Sequence, residues 1–332
     1  MSQPLVSVCS PCYNVAPYIG EFLDSLLAQT YKHLQIILVN DGSTDSTGDV
    51  IRSYIPRLEA EGYEVILVEQ ENGGLPAAIH TALKHVTGEL LTWPDPDDWL
   101  HPQAIEKRVA FLQEHEDVAL VRCNAEKIED GTKKSLGTFE PLGDSSYLIS
   151  DYYQKLVRTQ TWFGAGSTMV RMSCFDAQVP NRDIYVTKRG GQNWQLLLPI
   201  AMHYPCWQMQ EVLGYYRVRQ NSHSHSLHSL ADHVAYCDMC ETILLQTLAT
   251  INAPAADAVC VRKIYAAHRL AFALRLGTTG EKRHYYQLAR REAEHLSEHL
   301  SIIYQMYTPS LCKSVIGRLL KLAICLKKKI SA

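Results

Sequence analysis

Leu90-Leu91-Thr92-Trp93-Pro94-Asp95-Pro96-Asp97-Asp98-Trp99-Leu100-His101-Pro102 opens as an apolar run and breaks into three carboxylates. Glu89 to Trp93 reads as a buried strand, and His101 to Glu114 reads as a helix. The carboxylates therefore stand where a strand ends and a helix is about to begin. Like charges this close repel unless something positive sits among them. A hard divalent cation, held by one or two carboxylates and a substrate's phosphates, is the usual answer. The segment points to phosphate chemistry through a metal.

The preceding residues supply a frame for that strand. Leu5 to Cys9, Gln35 to Val39 and Glu64 to Glu69 read as strands, and Val118 to Cys123 as a fifth. Tyr18 to Gln29 has apolar residues at helical spacing, with Pro17 suited to its first turn. A second helix runs to about Glu61 with Thr44 or Asp45 as its cap, and a third opens at Pro76 and runs to about Val86. Such alternation predicts an α/β fold, an open, doubly wound, mostly parallel sheet with helices on both faces. Ligands of such sheets bind beyond the carboxyl ends of the strands, where strand order reverses. Pro11-Cys12-Tyr13-Asn14, Asp41-Gly42-Ser43 and Asp95 to Asp98 all fall at strand ends, which favours one composite site.

The later sequence changes character. Glu126 to Asp151 reads as loops and short strands, and glycines beside aromatics follow at Trp162-Phe163-Gly164 and Gly190-Gly191-Gln192-Asn193-Trp194. From about Ser229 the chain reads as long helices, so the expected division is 1–228 and 229–332. The last of these, 311–330, carries an apolar stripe and six basic residues, including Lys327-Lys328-Lys329. A basic amphipathic tail of this kind can lie on an anionic bilayer.

The 332 residues are 46% hydrophobic with a net charge of -3, which excludes a disordered chain and gives no bulk attraction to nucleic acid. No secretory leader and no apolar stretch long enough to span a bilayer are visible, which predicts a cytoplasmic protein, peripheral at most on the inner face of the membrane. The cysteines include two Cys-x-x-Cys pairs, Cys9/Cys12 and Cys237/Cys240. Both fall in apolar segments, where free cysteine packs as a small hydrophobe.

The fragments Pro11-Cys12-Tyr13-Asn14, Val39-Asn40-Asp41-Gly42-Ser43, Asn72-Gly73-Gly74 and Asp95-Pro96-Asp97-Asp98, in this order and spacing, resemble the family 2 glycosyltransferases of GT-A fold. The resemblance implies a UDP-sugar donor, a saccharide or lipid-linked glycan acceptor, inversion at the anomeric carbon, and Mn²⁺ or Mg²⁺ as cofactor. It implies that Pro11, Tyr13, Asn14, Asp41 and Asp95 bind the nucleotide, that Asp97 and Asp98 serve the metal, and that Trp162 faces the acceptor. Without a Gln-x-x-Arg-Trp motif or membrane spans, it implies a non-processive enzyme.

Two positions depart from the family pattern. Ala77-Ala78-Ile79-His80 lacks the arginine of the family's Ala-Arg-Asn segment. Gly191-Gln192-Asn193 stands where the family has Gly-Glu-Asp, so the position of the expected base carries an amide, which takes no proton at neutral pH. Three readings stay open: Gln192 and Asn193 bind hydroxyls while another residue is the base, Asp183 or another acid is the base, or the chain binds a nucleotide sugar without turnover. His223, in the Ser/His loop 221–226, is a candidate for both base and metal ligand.

Overall fold

The computed structural model describes residues 3–143, 145–164, 166–188, 190–219 and 228–292. The chain divides into two compact units, Met1–Gln220 and Asn221–Ala332.

The first unit begins with β1 (Val6–Cys12), α1 (Ala16–Leu27), β2 (Leu34–Asp41), α2 (Thr47–Ala60), β3 (Glu64–Gln70), α3 (Leu75–Leu83) and β4 (Leu90–Thr92). It continues with β5 (Trp99–Leu100), α4 (Ala104–Glu114), β6 (Leu120–Glu129), β7 (Ser135–Thr138), β8 (Tyr147–Leu148) and α5 (Tyr152–Val157). It closes with β9 (Thr168–Arg171), α6 (Met172–Asp176), α7 (Gln192–Ala201) and β10 (Cys206–Val218). The strands form one sheet in the order β3-β2-β1-β4-β9-β6-β10-β5, with β7 added on β6 and β8 on β10.

Strands β1 to β4 are parallel, and β9 enters antiparallel between β4 and β6. Strand β2 is buried along its whole length because both of its faces are covered. Its alternate residues separate the two sides. Ile36 and Leu38 share a cluster with Val6 and Val8 of β1, Phe22 and Leu26 of α1, and Ile51 of α2. Ile37 and Val39 are equally buried but lie outside that cluster, on the side where α3 packs against β1 and β2.

The order runs outward from β1 through β2 to β3 and then returns to β4 on the other side of β1. The switch point therefore lies at the carboxyl ends of β1 and β4. Two expected elements differ at this place. The helix expected from His101 begins at Ala104, because the His101 N–H bonds to Leu213 O of β10, 3.0 Å. Between the Asp cluster and that helix lies the two-residue strand β5, paired antiparallel with β10.

In the second unit α8 (Leu230–Thr250), α9 (Ala255–Leu276) and α10 (Thr279–Glu292) follow one another, with α9 packed on both others. Ser229 caps α8 through a reciprocal box, its Oγ accepting from Asp232 N at 3.1 Å while Asp232 accepts from Ser229 N at 2.9 Å. Cys237 and Cys240 are buried in α8, and burial pushes their thiols up to about 12 and about 11. Cys9 and Cys12 are buried in β1, and burial raises their thiols too.

Candidate active site

Three loops meet at the switch point, and polar side chains tie them together. The Ser10 hydroxyl at the end of β1 donates to Pro94 O after β4, 2.7 Å. Asn14, at φ 50, accepts from Thr44 N with its side-chain oxygen, 2.8 Å, and its own N–H donates to the Ser43 hydroxyl, 3.1 Å. Asp41 at the end of β2 is 2% exposed and accepts from Gln70 Nε2 at 2.6 Å and from the N–H groups of Gly73 and Gly74, both at 2.9 Å. Gly74 sits at φ 90, and a Cβ there would lie 2.4 Å from Lys188 O, so only glycine fits.

These contacts refine the expected nucleotide residues. Pro11 is buried within β1 opposite Val39, and Tyr13 beyond it is exposed. Asn14 and Asp41 both have their side-chain oxygens engaged by loop backbone. They hold the loops after β1, β2 and β3 in shape in addition to whatever they offer a ligand.

The three carboxylates after β4 part company. Asp98 is 2% exposed and its Oδ1 accepts from Arg217 N of β10, 2.8 Å. It holds β10 in place, a fold role at a residue expected to serve a metal. Asp97 pairs with Arg219 through Oδ2, while Arg217 Nε donates to Asp97 O at 2.9 Å. Asp95 lies in a setting short of positive charge. Burial first, and then the Asp97 carboxylate, push its carboxyl up to about 7, with Arg219 pulling the other way. The Tyr216 phenol is likewise pushed up to about 12 by burial and then by all three carboxylates, which marks it as their neighbour.

Asp95 and Asn193 line one small cavity, together with Trp93, Phe163, Gly166 and Thr168. Asn193 reaches it from the first turn of α7, after Gly191 at φ 90. Its Oδ1 accepts from Trp93 Nε1 at 2.7 Å, which leaves the amide N–H groups to donate. The cavity wall is supported from below by Arg108, which is fully buried and donates to Gly166 O at 2.6 Å and to Ala104 O at 2.9 Å.

Other expected residues lie elsewhere. Gln192 is buried, and its Oε1 has no hydrogen-bond partner among the described residues. Asp183 pairs with His80 Nε2 at 3.1 Å and does not line the cavity. Trp162 has both faces occupied, by the Phe139 ring at 4.4 Å and the Arg122 guanidinium at 4.5 Å, which cannot share a side. His223 lies outside the described residues, as does the basic stretch 311–330.

The residues that the sequence did not single out are cations. Arg217 is 6% exposed and bonds to Glu21 and Asp130, the latter at 3.0 Å, with the rings of Tyr18 and Trp99 each 5.0 Å away. The signal was available in the alternation Arg217-Val218-Arg219 at a strand end. Two cations at a period of two point to one face, opposite in sign to the Asp cluster.

The donor set suits a hard cation in one respect. Asp95 and Asp97 offer carboxylate oxygens close together, with Arg219 offsetting part of their charge, and burial and the Asp97 carboxylate raise the Asp95 carboxyl. Among the described residues no group of three acidic, histidine or cysteine ligands gathers. A cation here would take its remaining ligands from a bound phosphate and water, the usual habit of Mg²⁺.

Residues 7–175 match the family described as Glycosyl transferase family 2. "Glycosyltransferase GlyA" of Streptococcus pneumoniae is 34% identical over 143 residues, 43% of this chain and 19% of that protein. "Uncharacterized glycosyltransferase RT0329" of Rickettsia typhi is 40% identical over 129 residues, 38% of each chain. The chain thus spans well under half the length of these curated relatives. Among solved structures, S. aureus TarS 1–349 aligns with a TM-score of 0.60 at 16% identity, covering 96% of this chain and 88% of that one. The same protein in complex with UDP-GlcNAc aligns at 0.56 and 15% identity, covering 86% and 88%. The mannosyltransferase PcManGT of Pyrobaculum calidifontis, in complex with GDP-Man and Mn²⁺, aligns at 0.53 and 20% identity, covering 97% and 88%.

Proposed function

This chain belongs to glycosyl transferase family 2, and on that premise we propose that it moves a single sugar from a UDP-sugar to a hydroxyl of a saccharide or lipid-linked glycan. In this proposal the anomeric carbon inverts, a divalent cation is required, and elongation is not processive. The observation that carries it is the cavity at the switch point on which Asp95 and Asn193 converge. Support also comes from the GT-A-like fold shared with TarS, which was solved with UDP-GlcNAc.

In this reading Tyr13, exposed at the end of β1, lies against the base, and Pro11 belongs to the strand end from which it projects. Asp41 keeps the Gly73–Gly74 turn in place beside the nucleotide and has one lone-pair direction left for a ring N–H. Asp95 faces the sugar side of the donor. Asp97, with Asp95, would hold Mn²⁺ or Mg²⁺, which supplies charge neutralisation to the leaving diphosphate when bound. Arg219 sits on Asp97 and is the residue that must yield or join when the diphosphate arrives. Asn193 donates from its amide to a donor or acceptor hydroxyl while Trp93 fixes its orientation.

A nucleoside diphosphate release assay with Mn²⁺ across UDP-sugars and GDP-Man tests the proposal, with turnover expected for one UDP-sugar. Turnover with no donor, despite metal-dependent UDP binding, would overturn it. That outcome belongs to a second reading, a nucleotide-sugar-binding protein without turnover, which the amide at Asn193 favours. The proposal also places the chain in the cytoplasm, touching anionic lipid through 311–330. Co-sedimentation with vesicles should then rise with anionic lipid and fall with salt.

A further inference from the structure

A second cavity in the first unit, of about 440 Å³, is lined by Arg122, Glu140, Tyr147, Tyr152, Lys155 and Trp162 among others. Its volume lies in the range of small-molecule sites, ~300–1,000 Å³. Thr161 and Trp162 line this cavity, and the next two residues, Phe163 and Gly164, line the one that holds Asp95 and Asn193. One segment of chain therefore forms a wall of each.

The polar groups around this cavity are incompletely paired. Glu140 takes both Arg122 Nη2 at 3.1 Å and Trp162 Nε1 at 2.7 Å on the same oxygen, Oε1. Among the described residues Oε2 has no partner, so one carboxylate oxygen remains an acceptor. Lys155 is half-buried at the cavity, and its ammonium has no ion-pair partner among the described residues. The Tyr152 hydroxyl, on a residue 3% exposed, lies close to Arg122 and Thr161 and completes no hydrogen bond with either. Tyr147 is 40% exposed and offers the open aromatic surface that the sandwiched Trp162 does not.

We propose that this cavity is a subsite for a neutral hexose ring of the acceptor, adjacent to the unit that receives the transferred sugar; the acceptor part rests on the transferase reading above. A carboxylate oxygen accepts from one ring hydroxyl, an ammonium donates to others, and the C–H face of the ring packs on Tyr147. The wall holds both signs of charge, Glu140 offset by Arg122 with Lys155 as a further donor, which suits a ring bearing several hydroxyls.

The test is saturation-transfer NMR on the full chain, with methyl glycosides of glucose, galactose, mannose and N-acetylglucosamine as probes and UDP with Mg²⁺ present. At least one probe should bind the unmodified chain. Tyr147→Ala and Lys155→Met should each weaken it about tenfold, while UDP affinity by calorimetry, which also reports folding, stays unchanged. Asp97→Ala should show the converse, losing UDP and keeping the hexoside. The subsite is overturned if UDP binds and no probe does, or if both variants bind the probes as well as the unmodified chain. Hexoside binding that depends on Tyr147, in a chain that binds no nucleoside diphosphate, would leave the sugar site standing and remove the transferase reading.

Discussion

Asp97 and Asp98 are adjacent in sequence and face different partners, so their substitutions should separate. Asp98→Ala leaves the buried Arg217 N–H unpaired, which costs about 1–3 kcal/mol in urea unfolding. Asp97→Ala should leave stability within about 1 kcal/mol, because its partner Arg219 is partly solvated, yet reduce turnover to background. Activity that survived Asp97→Ala would remove the cation from that residue. Asn193→Asp tests the missing base. The carboxylate would keep the Trp93 N–H, now as a stronger charge-assisted bond, and add a proton acceptor inside the cavity. We expect kcat to rise by about tenfold or more, with a new acidic limb in the pH–rate profile.

At the scale of elements, β1 to β4 and their helices were legible because each strand is a short apolar run bounded by turn residues, and each helix repeats its apolar positions. β10 was not legible as a long strand. Gln208, Gln210 and Glu211 interrupt its apolar pattern, and its pairing with β6 shifts register between Gln208 and Gly214. The clasp at its end went unread for the same reason, since it joins Glu21, Asp130 and Arg217 from three distant segments. Burial acts to raise the Glu21 carboxyl, but hydrogen bonds from Lys133 and Arg217 outweigh it and hold the group below its ordinary value. A lowered folded pKa contributes stability above the unfolded value of about 4.3, and that stability is lost as pH falls through the folded value. Unfolding free energy should therefore decline below about pH 4, and Glu21→Gln should flatten that decline. In the second unit, Ser229→Ala removes the α8 cap and should cost about 1 kcal/mol by the same measurement.

For the whole molecule, the family match ends at residue 175, before Asn193 on α7 and before Arg217 and Arg219 at the end of β10. The half of the candidate site carried by β1 to β4 could be read from the sequence because its groups sit in short motifs within one βαβα run. The facing half is assembled from α7, β10 and the 139–164 segment, whose residues meet only through the tertiary fold. The same arrangement governs how the chain is made. β10 is the last strand of the first unit to be synthesised, yet it lies inside the sheet between β6 and β5 and supplies the partner of Asp98. A nascent chain that has emerged only as far as Tyr204 presents β6 with an open edge, a two-residue β5 without its β10 partner, and Asp98 without the Arg217 N–H from which it accepts in the folded chain. Open edges recruit other chains. Ribosome-stalled chains extended past Tyr204 by the length of the exit tunnel should therefore cross-link to holdase chaperones and be cut by protease, and chains extended past Arg219 by the same length should lose both. The order of translation thus imposes an interval in which every residue of β1 to β4 and the Asp cluster has been made and the candidate site cannot yet exist.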